Sequence, residues 1–154
     1  MTERYFEDFT VGEVFKPSVR VGVEKADIIA FAQKFDPQPF HLDEEAARQS
    51  IFGRLVASGW HTAALTMSLI ARSDYRAAGG TIGLGFENLR WPIPVLPGDE
   101  LRIVSEVLEA RPSKSRPDRG LLKMRTQTLN QNGEVVQEVV ASAMVPRRPA
   151  DDTI

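Results

Sequence analysis

The stretch Gly59-Trp60-His61-Thr62-Ala63-Ala64-Leu65-Thr66-Met67-Ser68-Leu69-Ile70-Ala71-Arg72 decides the fold. Trp60, Ala63, Ala64, Met67, Ile70 and Ala71 recur at i, i+3, i+4 and i+7, the spacing that lines one face of a helix. Leu65 and Leu69 carry apolar surface further round the cylinder. A helix apolar over most of its circumference belongs in an interior. Its most apolar part, Ala63 to Ala71, is broken by Thr66 and Ser68 and is far too short to span a bilayer. The spacing therefore predicts a helix that other parts of the chain must cover.

C-terminal to that helix the chain reads mostly as strand. The runs are Gly83 to Trp91, Leu101 to Glu109, Leu121 to Leu129 and Val135 to Val145. Asn130-Gln131-Asn132-Gly133 joins the last two, and an Asn-Gly pair between apolar runs is a hairpin signal because both residues tolerate positive φ. Arg111 to Gly120 reads as a long basic loop, and a loose tail is expected from about Pro146. The N-terminal side of the helix is more varied. Asp8 to Phe15 is a short strand or entry loop, and Val19, Val21 and Val23 alternate with polar or small residues as a strand does. Ile28, Ala32 and Phe35 predict a helix from about Lys25 to Lys34, stopped by Pro37. Asp43 can cap a short helix through Arg48, with Glu44 and Glu45 in its favourable first turn. Helices early and strands late argue for an α+β chain, with a mainly antiparallel sheet packed on the long helix.

Composition narrows the classes. The 154 residues suit one domain, 1–154, able to bury roughly 70% of its unfolded surface without metal or disulfide staples. With 19 Lys+Arg against 21 Asp+Glu the net charge is −2, so no global field attracts nucleic acid or an anionic membrane. The absence of cysteine excludes a disulfide framework, a thiolate metal site and a cysteine nucleophile. Apolar residues at 42% and charged ones at 26% fit a globular chain. The polar, acidic start Met1 to Asp8 has no signal-peptide core, which makes a cytoplasmic location the expectation.

Chemistry concentrates in Phe35-Asp36-Pro37-Gln38-Pro39-Phe40-His41. Two prolines fix φ near about −65° and are expected to keep this segment a stiff loop, not a helix. A stiff loop holds an acid and an imidazole at a set separation, as general acid–base catalysis requires. Ala57-Ser58-Gly59 opens the long helix, where unpaired N–H groups, the dipole and a glycine together can polarise a carbonyl oxygen. None of these features is specific alone: an aspartate before proline is often only a turn residue, and a helix-entry glycine is commonly structural.

Together the residues resemble the MaoC-like dehydratases, which include (R)-specific enoyl-CoA hydratases. The family's Asp-x-Asn-Pro-x-His motif falls on Asp36, Pro39 and His41, and its helix-opening glycine falls on Gly59. Pro94-Val95 and Gly98-Asp99-Glu100-Leu101 look like the family's strand entry, and the likeness spans about Phe9 to Val145. Gln38 stands where the motif has asparagine, which keeps the amide but lengthens its reach.

The resemblance implies a hot-dog fold, an antiparallel sheet wrapped around a central helix. It also implies a homodimer or higher oligomer, with an acyl-CoA running along the interface. It implies reversible hydration of a 2-enoyl-CoA to a 3-hydroxyacyl-CoA, with Asp36 and His41 sharing one water and the Gly59 N–H holding the enolate-like oxygen. No metal and no cofactor beyond the substrate's CoA are called for. Gln38, Ser58 and His61 are expected around the substrate, and Arg111, Lys114, Arg116 and Arg119 are candidates for the CoA phosphates. Two alternatives stand beside this reading. One is a hot-dog acyl-CoA thioesterase, disfavoured because Gly59 to Arg72 holds no Asp or Glu. The other is a non-catalytic acyl-CoA-binding subunit.

Overall fold

In the computed structural model, which describes residues 3–150, four long strands form the body of the protein. They are β3 (Ile82–Arg90), β4 (Glu100–Pro112), β5 (Arg119–Leu129) and β6 (Val135–Pro146). Two short strands precede them, β1 (Val14–Phe15) and β2 (Val21–Gly22), and both pair with β4. Every strand pairing is antiparallel, and the sheet runs β1-β4-β5-β6-β3 with β3 at one edge. The valine alternation at 19–23 thus yields only a two-residue strand, because β2 meets β4 solely at Leu101 and Glu100.

Side-chain alternation aims the sheet. Leu101, Ile103, Ser105 and Val107 are buried in β4, while their neighbours Arg102, Val104, Glu106 and Leu108 are only half-buried. The β5–β6 hairpin closes as the Asn-Gly signal foretold. Gly133 takes φ +76°, and Asn130 Oδ1 accepts from the Asn132 and Glu134 N–H groups. The expected basic loop is shorter than its sequence suggests, since Arg111 and Arg119 lie within β4 and β5 and flank the Pro112↔Gly120 pair. The segment read as a tail begins anchored: the Arg147 N–H donates to Asp118 O, and both Arg147 and Arg148 pair with acids at 7–8. The end of the expected tail, 151–154, lies outside the described residues.

The helices are α1 (Lys25–Phe35), α2 (Pro39–Leu42), α3 (Glu44–Arg48) and α4 (Gly59–Ala71). The sheet wraps α4, the arrangement of an α+β hot-dog fold. Yet the buried side of α4 is not the apolar stripe read from its periodicity. His61, Thr62, Thr66 and Leu69 are buried, whereas Trp60 and Met67 are 54% and 60% exposed. The sheet makes this possible by offering polar partners: Thr66 Oγ1 meets Thr128 Oγ1 at 2.6 Å and accepts from Gln137 Nε2 at 3.2 Å. Satisfied hydroxyls can be buried at little cost. The core around this seam is apolar, built from Ile28, Leu69, Leu101, Ile103, Val107 and Val136, with Phe15 stacked on Tyr75. Among the described residues no helix is long and apolar enough to cross a membrane.

Candidate active site

Asp36 caps the end of α1. Its N–H still donates to Ala32 O, but the following Pro37 forces it out of helical geometry, to φ −154° and ψ 69°. Gln38 and Pro39 then start α2, a single turn that carries His41. The expectation that two prolines forbid a helix here is corrected. Pro39 occupies the first turn of α2, where its missing N–H would have had no partner. The turn swings His41 back over Asp36 and buries it.

The segment before α4 completes the arrangement. Val56 N–H donates to Phe40 O, and Ala57 N–H donates to Val95 O, which ties the extended stretch 55–57 between α2 and the loop before β4. His41 Nδ1 lies 2.6 Å from Val56 O. A carbonyl can only accept, so Nδ1 carries the hydrogen and, in the neutral ring, Nε2 presents a lone pair. That Nε2 stands 3.4 Å from Asp36 Oδ2. Ser58, fully buried at the N-cap of α4, donates its hydroxyl to the same Oδ2 at 2.6 Å and accepts from Trp60 N–H. Gln38 Nε2 donates to Asp36 Oδ1 at 2.6 Å. Burial by itself would raise the Asp36 pKa. The hydrogen bonds from Ser58 and Gln38, with the adjacent His41, outweigh it and hold the carboxyl below its ordinary range.

Asp36, Gln38 and His41 open onto a cavity of about 430 Å³, within the usual size of small-molecule sites, whereas Ser58 lies behind Asp36 and does not line it. Asp36, Gln38, His41 and Gly59 line its polar side, and Phe40, Phe52, Trp60, Trp91, Ile93 and Val136 supply apolar wall. The Gly59 N–H points from the first turn of α4, and no hydrogen bond from it is found among the described residues. It is an available donor at a helix N-terminus.

Two groups of expected site residues lie away from the cavity. His61 does not line the cavity: it is buried against α1, stacked on Phe31 at 4.7 Å, with Nδ1 unpartnered among the described residues. Burial lowers its pKa, and the charge of Asp27 only partly opposes this. Arg111, Lys114 and Arg116 are also apart from the cavity of their own chain. Thr128 pairs with Gln137, next to the cavity residue Val136, while Arg119 pairs with Pro146 at the far end of the same ladder. Those pairs lie nine residue steps apart along β5, about 30 Å at roughly 3.3 Å per step. The aromatic wall was not foreseen. Trp91 ends a recognisable strand run and Trp60 lies in a helical stripe, so neither spacing distinguishes cavity from core. Phe52 sits in an exposed turn that carries no pattern at all.

Comparison with known proteins identifies the family. A family model described as "MaoC like domain" matches residues 7–127. A Bacillus subtilis relative named "Uncharacterized protein YdeM" is 34% identical over 92% of this chain and 98% of its own. A Methylorubrum extorquens relative named 3-hydroxybutyryl-CoA dehydratase is 29% identical, over 97% of this chain and 89% of its own. The crystal structure of the MaoC-like dehydratase from Rhodospirillum rubrum superposes with a TM-score of 0.90 at 56% identity, covering 96% of this chain and 99% of that one. With the sequence matched over most of its length and the fold over nearly all of it, the chain belongs to the MaoC-like dehydratase family.

Proposed function

We propose that this hydratase/dehydratase reversibly adds water across the double bond of a 2-enoyl-CoA to give a 3-hydroxyacyl-CoA. The observation that carries the reading is the facing pair His41 Nε2 and Asp36 Oδ2, 3.4 Å apart, with the imidazole tautomer fixed by Val56 O. Two acceptors in that position are complementary to a shared donor, and a water molecule supplies one hydrogen to each. As the water oxygen bonds to the β-carbon, Nε2 takes one of its protons. The imidazolium that results is stabilised by the Asp36 carboxylate and returns a proton to the α-carbon, so the two hydrogens and the oxygen of water are all accounted for. The depressed Asp36 pKa favours this assignment, because a resting carboxylate holds no proton to give. The Gly59 N–H donates to the thioester oxygen as it gains charge, an interaction typically worth about 2.7–4 kcal/mol. Ser58 and Gln38 position Asp36. Delivery of water and proton from this one face makes the addition syn, and the (R) alcohol is the product that the family resemblance implies. The chemistry needs no cofactor besides the CoA of the substrate.

The working unit in this reading is a homodimer. Ile82, Leu84 and Phe86 of the edge strand β3 and Trp60 and Met67 of α4 leave large apolar side chains exposed, more than an isolated chain tolerates well. In such an assembly the basic residues near 111–119 are too far from their own chain's cavity to hold its CoA phosphates. The thioesterase alternative finds no Asp or Glu on α4.

Hydration of crotonyl-CoA by the wild type, Asp36→Asn and His41→Ala tests the proposal. Loss of about 10²–10⁴-fold in kcat/KM is expected for each folded variant. Full activity in both variants would show the roles to be wrong, and a wild type inert toward every enoyl-CoA while binding them would favour a non-catalytic acyl-CoA protein.

A further inference from the structure

We propose that Trp91, bolted in place by Gln137, is the stop that limits the length of the acyl group, and that the cavity selects short acyl chains over long ones. The inference rests on the acyl-CoA reading above and adds to it a residue that sets specificity.

Trp91 lies against the reacting corner itself. A Cβ built on Gly59 would fall 2.5–2.7 Å from Cδ2, Cε2 and Cε3 of its indole, so the ring face is packed directly on the glycine backbone. Gly59 is the residue whose N–H is free to hold the thioester oxygen. An acyl chain that begins there and passes Asp36 and His41 runs along the apolar wall of the cavity, and Trp91 forms part of that wall. The Trp60 ring meets Trp91 edge-on, with centroids 5.3 Å apart and planes at 79°.

The ring is also held. Its Nε1–H donates to Gln137 Oε1 at 2.8 Å. An indole N–H can only donate, so the Gln137 amide must point its oxygen at Trp91 and its NH₂ at Thr66 Oγ1, 3.2 Å away. Thr66 in turn lies 2.6 Å from Thr128 Oγ1. Gln137 is 2% exposed. Swinging the indole aside would leave a buried amide oxygen without a partner, which the interior penalises. The bolt therefore spans α4, β5 and β6, and the stop resists displacement by a longer chain. Trp91 is itself 39% exposed, and without this partner a tryptophan so placed would turn aside easily.

The test measures binding of saturated butyryl-CoA and decanoyl-CoA, which cannot be hydrated, by titration calorimetry. The wild type is expected to bind butyryl-CoA and to gain nothing from the longer chain. Trp91→Ala should bind decanoyl-CoA at least about tenfold more tightly than the wild type does, since even one methylene in an apolar pocket is worth about 10–200-fold. The ratio of decanoyl-CoA to butyryl-CoA affinity should therefore rise at least about tenfold whatever happens to butyryl-CoA alone, with circular dichroism reporting that the variant is folded. Trp91→Phe keeps a ring in place and should remain short-chain selective. Gln137→Leu keeps the ring but removes the bolt, and should fall between wild type and Trp91→Ala. That gradation would not arise from a merely structural role, which would lower both affinities together. Should Trp91→Ala not fold, Gln137→Leu carries the same comparison. An unchanged decanoyl-to-butyryl ratio in the folded variants, or a wild type that prefers decanoyl-CoA, overturns the inference while leaving the hydratase reading intact. A wild type that binds neither thioester brings down the acyl-CoA reading, and this inference with it.

Discussion

At Asp36 three neighbours decide the charge. Ser58 donates to one oxygen, Gln38 to the other, and His41 stands beside them. Glutamine in place of the motif asparagine therefore does not break the contact; its longer side chain still reaches Oδ1 at 2.6 Å. Ser58→Ala should raise the Asp36 pKa, and by more than Gln38→Ala, as followed by NMR titration of the carboxyl carbon. The same shift is a stability statement. Because the folded pKa is depressed, the ionised Asp36 contributes stability that is fully present above the ordinary aspartate range, about 4. That contribution is lost as pH falls through the lower folded value. Urea unfolding of wild type and Asp36→Asn should therefore show any advantage of the wild type at pH 7 shrinking toward pH 3, with no such trend between pH 6 and 8. Asp36 and His41 were legible in the sequence because their spacing and the prolines between them form a pattern. Ser58 was legible only as a neighbour of Gly59, since nothing in a linear chain says that residue 58 touches residue 36.

The element that most constrains the site is α4. Its boundaries agree with the periodicity, but its buried face does not, because periodicity reports hydropathy and not which hydroxyls find partners. Thr66 went inward since Thr128 and Gln137 were there to meet it, and Thr62 lies one turn before it on the same side. The first residue of α4 is glycine for a contact reason, not a backbone one: the three atoms nearest to a Cβ there all belong to the Trp91 indole. Gly59→Ala should destabilise by about 1–3 kcal/mol through overpacking, seen as a drop in Tm. Trp91→Ala in the same chain should recover most of that loss, because the obstacle is gone. α2 teaches the converse lesson. Pro39 looks in the sequence like a barrier to a helix, and it lies in the first turn of one, since the proline penalty applies to interior positions and not to the first turn. Asp43 behaves as its sequence says: Oδ2 accepts from Ala46 N–H at 3.0 Å, and Asp43→Ala should cost about 0.5–2 kcal/mol in urea unfolding.

At the scale of the whole molecule the sheet has one open side. β3 is an edge strand whose residues, apart from half-buried Leu89, are all exposed, and Ile82, Leu84 and Phe86 alternate along it with Gly83, Gly85 and Glu87. Apolar edges of this kind pair with another chain unless blocked. The proposed dimer predicts a two-chain mass in sedimentation equilibrium at micromolar concentration, and Phe86→Glu with Met67→Glu should shift the protein toward single chains. If those variants sediment as the wild type does, the interface lies elsewhere. Trp60 belongs to this scale as well as to the cavity, because it lines the pocket and is still more than half exposed.

By itself the sequence determined the elements and the reacting pair. Hydrophobic period, turn residues and caps act over a few neighbours, and so do the spacing Asp36–His41 and the glycine at 59. Only the tertiary structure decided which groups meet from distant parts of the chain. It brought Ser58 to Asp36 and Val56 to His41, sent His61 away from the cavity, and set Arg111 to Arg119 at the far end of the sheet. It also laid Trp91 on Gly59 and fastened it through Gln137. These outcomes depend on strand register and on the partners available inside the core, and register is a relation between segments that no single segment encodes.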